Sequence, residues 1–157
     1  MRIGDRISMK REEQGFSLIE LLIVVAVILI VAAIAIPNFL RAKISANEAS
    51  AVSSIHAVNT SEISYSAANP TIGFAAVLAD LGPAGGGYID SLLAAGTKSG
   101  YSFTYTVVGA TPYTQYKLNA DPTTRGVTGA RSFYSDASNV TRYNDVAPAA
   151  VTDPPIQ

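Results

Sequence analysis

The sequence contains no cysteine, no tryptophan and a single histidine, His56. Without cysteine the chain can form no disulfide, no thiolate zinc site and no cysteine nucleophile. One histidine excludes a multi-histidine metal site and weakens any interpretation as a serine–histidine hydrolase. The formal net charge of -1 gives no support to nucleic-acid binding, which usually needs a basic surplus. We therefore predict no enzyme activity, no cofactor, no metal site and no nucleic-acid partner.

Charged residues are few and unevenly distributed along the 157 positions. Residues 1–15 hold seven charged side chains, whereas residues 16–40 hold only Glu20. Residues 21–36 are an uninterrupted run of sixteen apolar residues. From residue 48 onward, 110 residues carry thirteen charges, eight of them acidic. This distribution predicts a charged leader, an apolar segment and a weakly acidic domain.

The apolar segment is long enough to cross a membrane as a helix. Residues 16–40 would measure about 37 Å at roughly 1.5 Å per residue, and a bilayer core is about 30 Å thick. A buried core helix is the alternative, but a run that is apolar on all sides needs lipid or protein around it. Four Lys or Arg residues precede the segment and two follow closely, which predicts an N-terminus in the cytoplasm.

A secretory signal peptide is a second interpretation of the same region. Cleavage after the small-residue motif at 33–35 would release a chain that begins at Ile36. Glu20 argues against it, because an ionised carboxylate costs roughly 2.5–3.5 kcal/mol at the centre of a bilayer. A carboxylate that stays charged in an apolar setting needs a partner. Residues 16 and 20 are i,i+4 neighbours on a helix, so the backbone amine of Phe16 could lie nearby.

The stretch Gly15-Phe16-Ser17-Leu18-Ile19-Glu20, with the apolar run and Pro37 behind it, resembles the prepilin-type N-terminus of type IV pilins and type II secretion pseudopilins. The resemblance covers about residues 10–55, a third of the chain. It implies that a membrane aspartyl peptidase cuts between Gly15 and Phe16 and methylates the new amine of Phe16. It also implies that Glu20 sets the register between subunits in a filament. Pro37 removes a backbone donor and favours a helix kink.

The resemblance further implies a function and a set of partners. The chain would be a structural subunit that polymerises with other copies through its apolar helix, after residence in the lipid of the bacterial inner membrane. A prepilin peptidase, an assembly ATPase and an inner-membrane platform protein would be its partners. The product would be a cell-surface pilus or a periplasmic pseudopilus.

Three functions remain open at this point. A type IV pilin comes first, because the segment from Phe16 to Phe39 looks slightly more like a pilin. A type II secretion pseudopilin is the alternative, since many pilins close a C-terminal loop with a disulfide that this chain cannot form. A membrane-anchored extracytoplasmic binding domain that does not polymerise is the third.

The remaining sequence predicts an α+β fold. Apolar residues at helical spacing continue the first helix to about Ala68, before Asn69-Pro70. One face of this helix carries the apolar residues Leu40, Ile44, Ala51, Ile55 and Val58, and Glu48 and Glu62 are among its polar positions. Two short helices are predicted at 74–81 and 88–95. Strict alternation predicts a strand over 101–108, and further strands are expected at 113–120, 132–135 and 140–143. The result would be a long helix packed on an antiparallel sheet of three or four strands.

These patterns predict four segments. Residues 1–15 would be a cytoplasmic leader that is removed, and residues 16–40 the transmembrane and polymerisation helix. Residues 41–144 would form an extracytoplasmic pilin-like domain. Residues 145–157, which contain three prolines, would be a flexible C-terminal tail.

Overall fold

The computed structural model describes residues 15–156. Of the predicted leader, only Gly15 lies within this range. Contacts between Cα atoms divide the chain into two compact units, with the boundary between Asn38 and Phe39. The two units are described separately below.

A single long helix and a five-stranded sheet dominate the structure. The sheet is antiparallel throughout, and its strands lie side by side in sequence order. A short 3₁₀ helix, Leu78–Leu81, and a short α-helix follow the long one. The elements are α1 (Leu18–Ala68), α2 (Ser91–Ala94), β1 (Thr97–Lys98), β2 (Tyr101–Val108), β3 (Gln115–Pro122), β4 (Ser132–Asp136) and β5 (Arg142–Asn144).

The predicted α+β, pilin-like architecture is confirmed, with a correction to the strand count. The sheet has five strands rather than three or four. The additional strand is β1, which pairs only Thr97 and Lys98 with the start of β2. Two residues are too few to show the alternation that reveals a strand in a sequence. The predicted short helices are also shorter than expected, because only 78–81 and 91–94 are helical.

In the first unit, α1 presents apolar side chains to the outside on every face. Phe16, Leu18 and Ile30 are 83%, 81% and 63% exposed. The helix contains an 18-residue window of mean hydropathy 3.3, none of it buried. By length and composition this part of α1 can cross a membrane. Side chains of this kind require lipid or other protein chains around them.

In the second unit, the remainder of α1 packs on the sheet. Ala51, Ile55 and Val58, three residues of the predicted apolar face, are buried. Leu40 was predicted on the same face but is exposed, and Ile44 is only partly buried. The first buried position on the helix is Glu48, so packing against the sheet begins about one turn after Ile44. Inward-facing side chains of β2, β3 and β4 complete the core: Tyr101, Phe103, Tyr116, Leu118, Ala120 and Phe133.

The end of α1 follows from its local sequence. The helix ends at Ala68, as predicted, and the side-chain amide of Asn69 donates to the carbonyl oxygen of Tyr65 at 3.0 Å. Pro70 has no N–H and cannot continue the helical ladder. Asp90 starts α2 in a comparable way, since its carboxylate accepts hydrogen bonds from the backbone N–H groups of Leu92 and Leu93.

The C-terminal segment lies against β5. The backbone N–H of Ile156 donates to the carbonyl of Thr141 at 2.9 Å, and the Arg142 guanidinium donates to the carbonyl of Asp153 at 2.8 Å. The Asp153 carboxylate also accepts from the Asn144 side-chain amide at 3.1 Å. These hydrogen bonds hold the end of the tail on the sheet edge. Flexibility of the segment between them stays a prediction.

Candidate assembly site

Gly15, Phe16 and Ser17 form an exposed, non-helical approach to α1. A side chain built on Gly15 would meet no atom within 4 Å. Among residues 15–156, nothing therefore obstructs the side of Gly15 on which a side chain would stand. This accessibility is the geometric requirement for proteolysis at the predicted position, and cleavage itself stays a prediction.

Glu20 lies in the first turn of α1, where its Oε2 accepts a hydrogen bond from the backbone N–H of Ser17 at 2.9 Å. This is one half of a capping box, in which an acidic residue at the third helical position binds the N–H of the N-cap residue. The carboxylate also lies at the positive end of the helix dipole. Glu20 thus orders the start of the helix that it belongs to.

The capping role of Glu20 was missed in the sequence, although its signal was present. The motif Ser-x-x-Glu at 17–20 is a recognised helix start. Cleavage before Phe16 would create an amine on the residue that immediately precedes Ser17. The prospective amine would thus stand four residues before Glu20, next to the residue whose N–H the Glu20 carboxylate binds.

Pro37 lies inside α1, and the helix continues through it to Ala68. Because proline has no N–H, the carbonyl of Ala33 loses its intrahelical donor. The side-chain amide of Asn38 donates to the carbonyl of Ile34 at 3.1 Å and adds a bond one residue further on. Pro37 also lies next to the boundary between the two units. The predicted kink at Pro37 stays a prediction.

The sequence patterns also missed two buried glutamates on α1. Glu48 and Glu62 were predicted as polar positions of the amphipathic helix, yet they are only 6% and 0% exposed. A buried carboxyl group needs hydrogen-bond partners, whether it is charged or neutral. The two glutamates have very different partners.

Glu48 is held as a carboxylate by donors from the loop before β4. Its Oε1 accepts from the backbone N–H of Ala130 at 2.9 Å and of Arg131 at 3.1 Å. Its Oε2 binds the guanidinium of Arg131, with the nearest nitrogen at 2.8 Å. Burial alone would raise the pKa of Glu48, but the hydrogen bonds from Ala130 and Arg131 together lower it below its ordinary value.

Replacing Arg131 with alanine should destabilise the globular unit. The substitution removes the cation that pairs with Glu48 and leaves a buried carboxylate with only its two backbone donors. A loss of about 2 kcal/mol in the free energy of unfolding is expected for a buried group left partly unsatisfied. Chemical denaturation of the full chain in detergent measures it, with Lys98→Ala as a control, because Lys98 pairs with Asp90 in an exposed ion pair. Equal midpoints for the two variants would contradict the assignment.

Known proteins resemble part of this chain. The family described as the prokaryotic N-terminal methylation motif matches residues 10–36. The type IV major pilin protein PilA of Myxococcus xanthus (strain DK1622) is 46% identical over 52 residues, which make up 33% of this chain and 24% of that protein. The chain thus spans about a quarter of the length of the curated relative it matches. No solved structure matches the chain at a significant level.

These two matches confirm the predicted resemblance to the type IV pilin family. The methylation motif spans Gly15 to Glu20 and the whole apolar run. Within residues 15–156, no group of three or more His, Cys, Asp or Glu side chains could hold a metal ion. The features that remain to be explained functionally are the exposed apolar helix and its capped start.

Proposed function

We propose that this chain is the structural subunit of a type IV pilus-like filament. One observation carries the proposal: an apolar helix segment, none of it buried, begins at Leu18 within the residues that match the prokaryotic N-terminal methylation motif. The chain is inserted in the inner membrane with its N-terminus in the cytoplasm. It is cut between Gly15 and Phe16, methylated at Phe16, and then polymerised through the helix of residues 16–40.

The energetics of the helix determine which partners assembly needs. In the membrane, the apolar side chains of residues 16–40 are already surrounded by lipid, so moving them into a filament yields no gain from escaping water. The gain comes from close packing between helices. Extraction must therefore be driven, and an assembly ATPase with a membrane platform protein would drive it. A prepilin peptidase would act before them.

Glu20 has a second role in this proposal. In a filament the carboxylate would leave the membrane surface and become buried among apolar helices. A buried charge without a partner is strongly unfavourable, so the amine of Phe16 in an adjoining subunit is the natural partner. A subunit displaced along the axis would lose this pair, and Glu20 would thereby fix the axial register.

Each segment of the chain has a separate role in the proposed filament. The leader up to Gly15 is removed, and residues 16–40 form the filament core. Residues 41–144 form the outer, extracytoplasmic domain, whose fold is stabilised by the packing of α1 on the sheet. The tail from residue 145 closes the domain by hydrogen bonds to β5 rather than by a disulfide.

A type II secretion pseudopilin is the alternative within the same class. The absence of cysteine favours it, because many type IV pilins close their C-terminal loop covalently. Such a subunit would form a short filament that stays in the periplasm. A membrane-anchored binding domain that never polymerises would keep its helix in the bilayer.

Electron microscopy of sheared surface material distinguishes these functions. Cells that express the chain should release fibres, and these should disappear when its gene is deleted and return on complementation. The chain should be found in the sheared fraction by immunoblot. Recovery of the chain only in the periplasm would favour the pseudopilin, and recovery only in the membrane would contradict polymerisation.

A further inference from the structure

Glu62 lies on the buried face of α1 and is 0% exposed. Its Oε2 accepts a hydrogen bond from the backbone N–H of Ala75 at 2.9 Å. Its Oε1 is equally buried and accepts no hydrogen bond from the residues that the structure describes. A buried carboxylate with one donor on two oxygens would be poorly stabilised.

No cation compensates Glu62 within residues 15–156. The two ion pairs in that range join Lys98 with Asp90 and Arg131 with Glu48. The titratable groups around Glu62 are Tyr65 on its own helix, Tyr105 on β2, Tyr116 on β3 and Asp80 in the 3₁₀ helix. None of these groups carries a positive charge in any protonation state.

The surroundings favour the protonated form of this side chain. Burial raises the pKa of Glu62 above its ordinary value and outweighs the nearby Tyr105 hydroxyl and the Ala75 N–H, which both lower the pKa, while Asp80 raises it further. Burial also raises the pKa of the neighbouring Tyr105 hydroxyl, with Glu62 adding to the effect. Tyr105 is therefore neutral and keeps its single proton.

The Tyr105 hydroxyl favours one protonation state of Glu62 over the other. Its one proton is donated to the carbonyl oxygen of Ala75 at 2.8 Å. While it makes that bond, it can only accept from Glu62. An ionised Oε1 would face a lone pair, whereas a protonated Oε1–H can donate to the tyrosine oxygen. A protonated Glu62 that donates to Tyr105 would close a ring whose other two bonds the structure shows, Ala75 N–H to Glu62 and Tyr105 O–H to Ala75.

We propose that Glu62 is kept as a neutral carboxylic acid, and that its proton clamps the segment Gly73–Val77 onto α1. Ala75 in this segment is 0% exposed, and the ring of Phe74 packs edge-on against Tyr116 with centroids 4.9 Å apart. Ionisation of Glu62 breaks one bond of the ring and puts a charge beside Tyr105 and Asp80. The bond from the Ala75 N–H to Oε2 remains, but the buried charge is relieved when the segment opens and water reaches Glu62, so ionisation favours opening.

The direction of the pH dependence follows from the raised pKa. Between the pKa of the unfolded chain, about 4.3, and the higher pKa of the folded state, the folded protein binds more protons than the unfolded one. The contribution of Glu62 to stability is therefore present in full at low pH and is lost as the pH rises through the folded pKa. Glu48, whose pKa is lowered, contributes in the opposite direction and loses its contribution in acid.

Carbon NMR of the full chain in detergent micelles tests the protonation state directly. With ¹³C-labelled glutamate, the chain gives five side-chain carboxyl signals, and that of Glu62 is assigned by its disappearance in Glu62→Gln. Its signal should stay at the position of a protonated carboxyl above about pH 5, where an ordinary glutamate has ionised. A Glu62 signal that titrates near the ordinary value would overturn the proposal.

Amide exchange tests the clamp, and Glu48 provides the matched control. Glutamine at position 62 keeps an acceptor for Ala75 and gains a donor for Tyr105. The protection factor of the Ala75 amide should therefore fall at least about tenfold between about pH 5 and about pH 9 in the wild type, and stay constant in Glu62→Gln. The unfolding midpoint of Glu62→Gln at neutral pH should equal or exceed that of the wild type, while Glu48→Gln should lower it. Equal losses in both variants would contradict a neutral Glu62.

Discussion

Replacing Glu20 with alanine should leave cleavage after Gly15 intact and reduce the yield of filaments at least about tenfold. The substitution removes the carboxylate that would pair with the amine of Phe16 in the neighbouring subunit. Breaking a buried pair costs about 3–5 kcal/mol, and each 1.4 kcal/mol is about tenfold in an association constant. The processed fraction is read by intact mass, and the filament yield by immunoblot of sheared material.

Glu20→Gln separates the two roles of this side chain. Glutamine retains an oxygen that can accept from the N–H of Ser17, so the helix start is preserved, but it carries no charge. The account expects Glu20→Gln to be processed and to assemble as poorly as Glu20→Ala. Filaments at the wild-type level from Glu20→Gln would show that capping alone is needed and would contradict a charge pair.

Replacing Gly15 with valine should abolish processing and, with it, filament formation. The open backbone at Gly15 has no side chain to obstruct a protease cleft, and a β-branched residue would both fill the space beside the scissile bond and restrict the backbone. The uncut chain should accumulate in the membrane fraction, with the leader still attached. Intact mass of the membrane-extracted protein distinguishes the two forms.

Ser17→Ala is the control for the Gly15 substitution. It changes a side chain close to the cleavage position but keeps the backbone N–H that binds Glu20. Processing and assembly should both proceed. If the chain with valine at position 15 were cut at the wild-type rate and found in fibres, recognition at this position would be refuted.

The long helix and most of the sheet could be predicted because their signals are local. The apolar run, the continuing helical period and Pro70 define α1 to the residue at its end. Alternation defines β2, with Tyr101 and Phe103 inward. For β3 and β5, where the pattern is weaker, the predicted bounds were displaced by about two residues.

The buried glutamates show where local signals fail. Glu48 reads as a polar position because its partner Arg131 lies 83 residues away in the sequence and reaches it only in the folded chain. Glu62 also looks like a polar surface position in the sequence, because its neighbour Tyr105 belongs to β2 and approaches it only in the folded chain. Burial of both residues depends on tertiary contacts, and the spacing of apolar residues along the helix does not reveal those contacts.

The same distinction between local signals and distant contacts applies to the candidate site. Gly15, Phe16 and Glu20 were predicted because the prepilin-type motif is contiguous in sequence, and the bond from the Ser17 N–H to Glu20 could have been predicted from the motif Ser-x-x-Glu. The register role of Glu20 depends on a second subunit. One copy of the chain defines the position of the carboxylate, while its partner in a filament stays a proposal.

The N-terminal mass of the chain recovered from sheared surface fibres tests the central claim most directly. The account predicts a chain that begins with N-methylated Phe16, free of the residues up to Gly15. A chain that still begins at Met1 would indicate an anchor that is never processed. A chain that begins at Ile36 would indicate a secretory product that has lost its apolar helix, and either result would contradict a filament built through that helix.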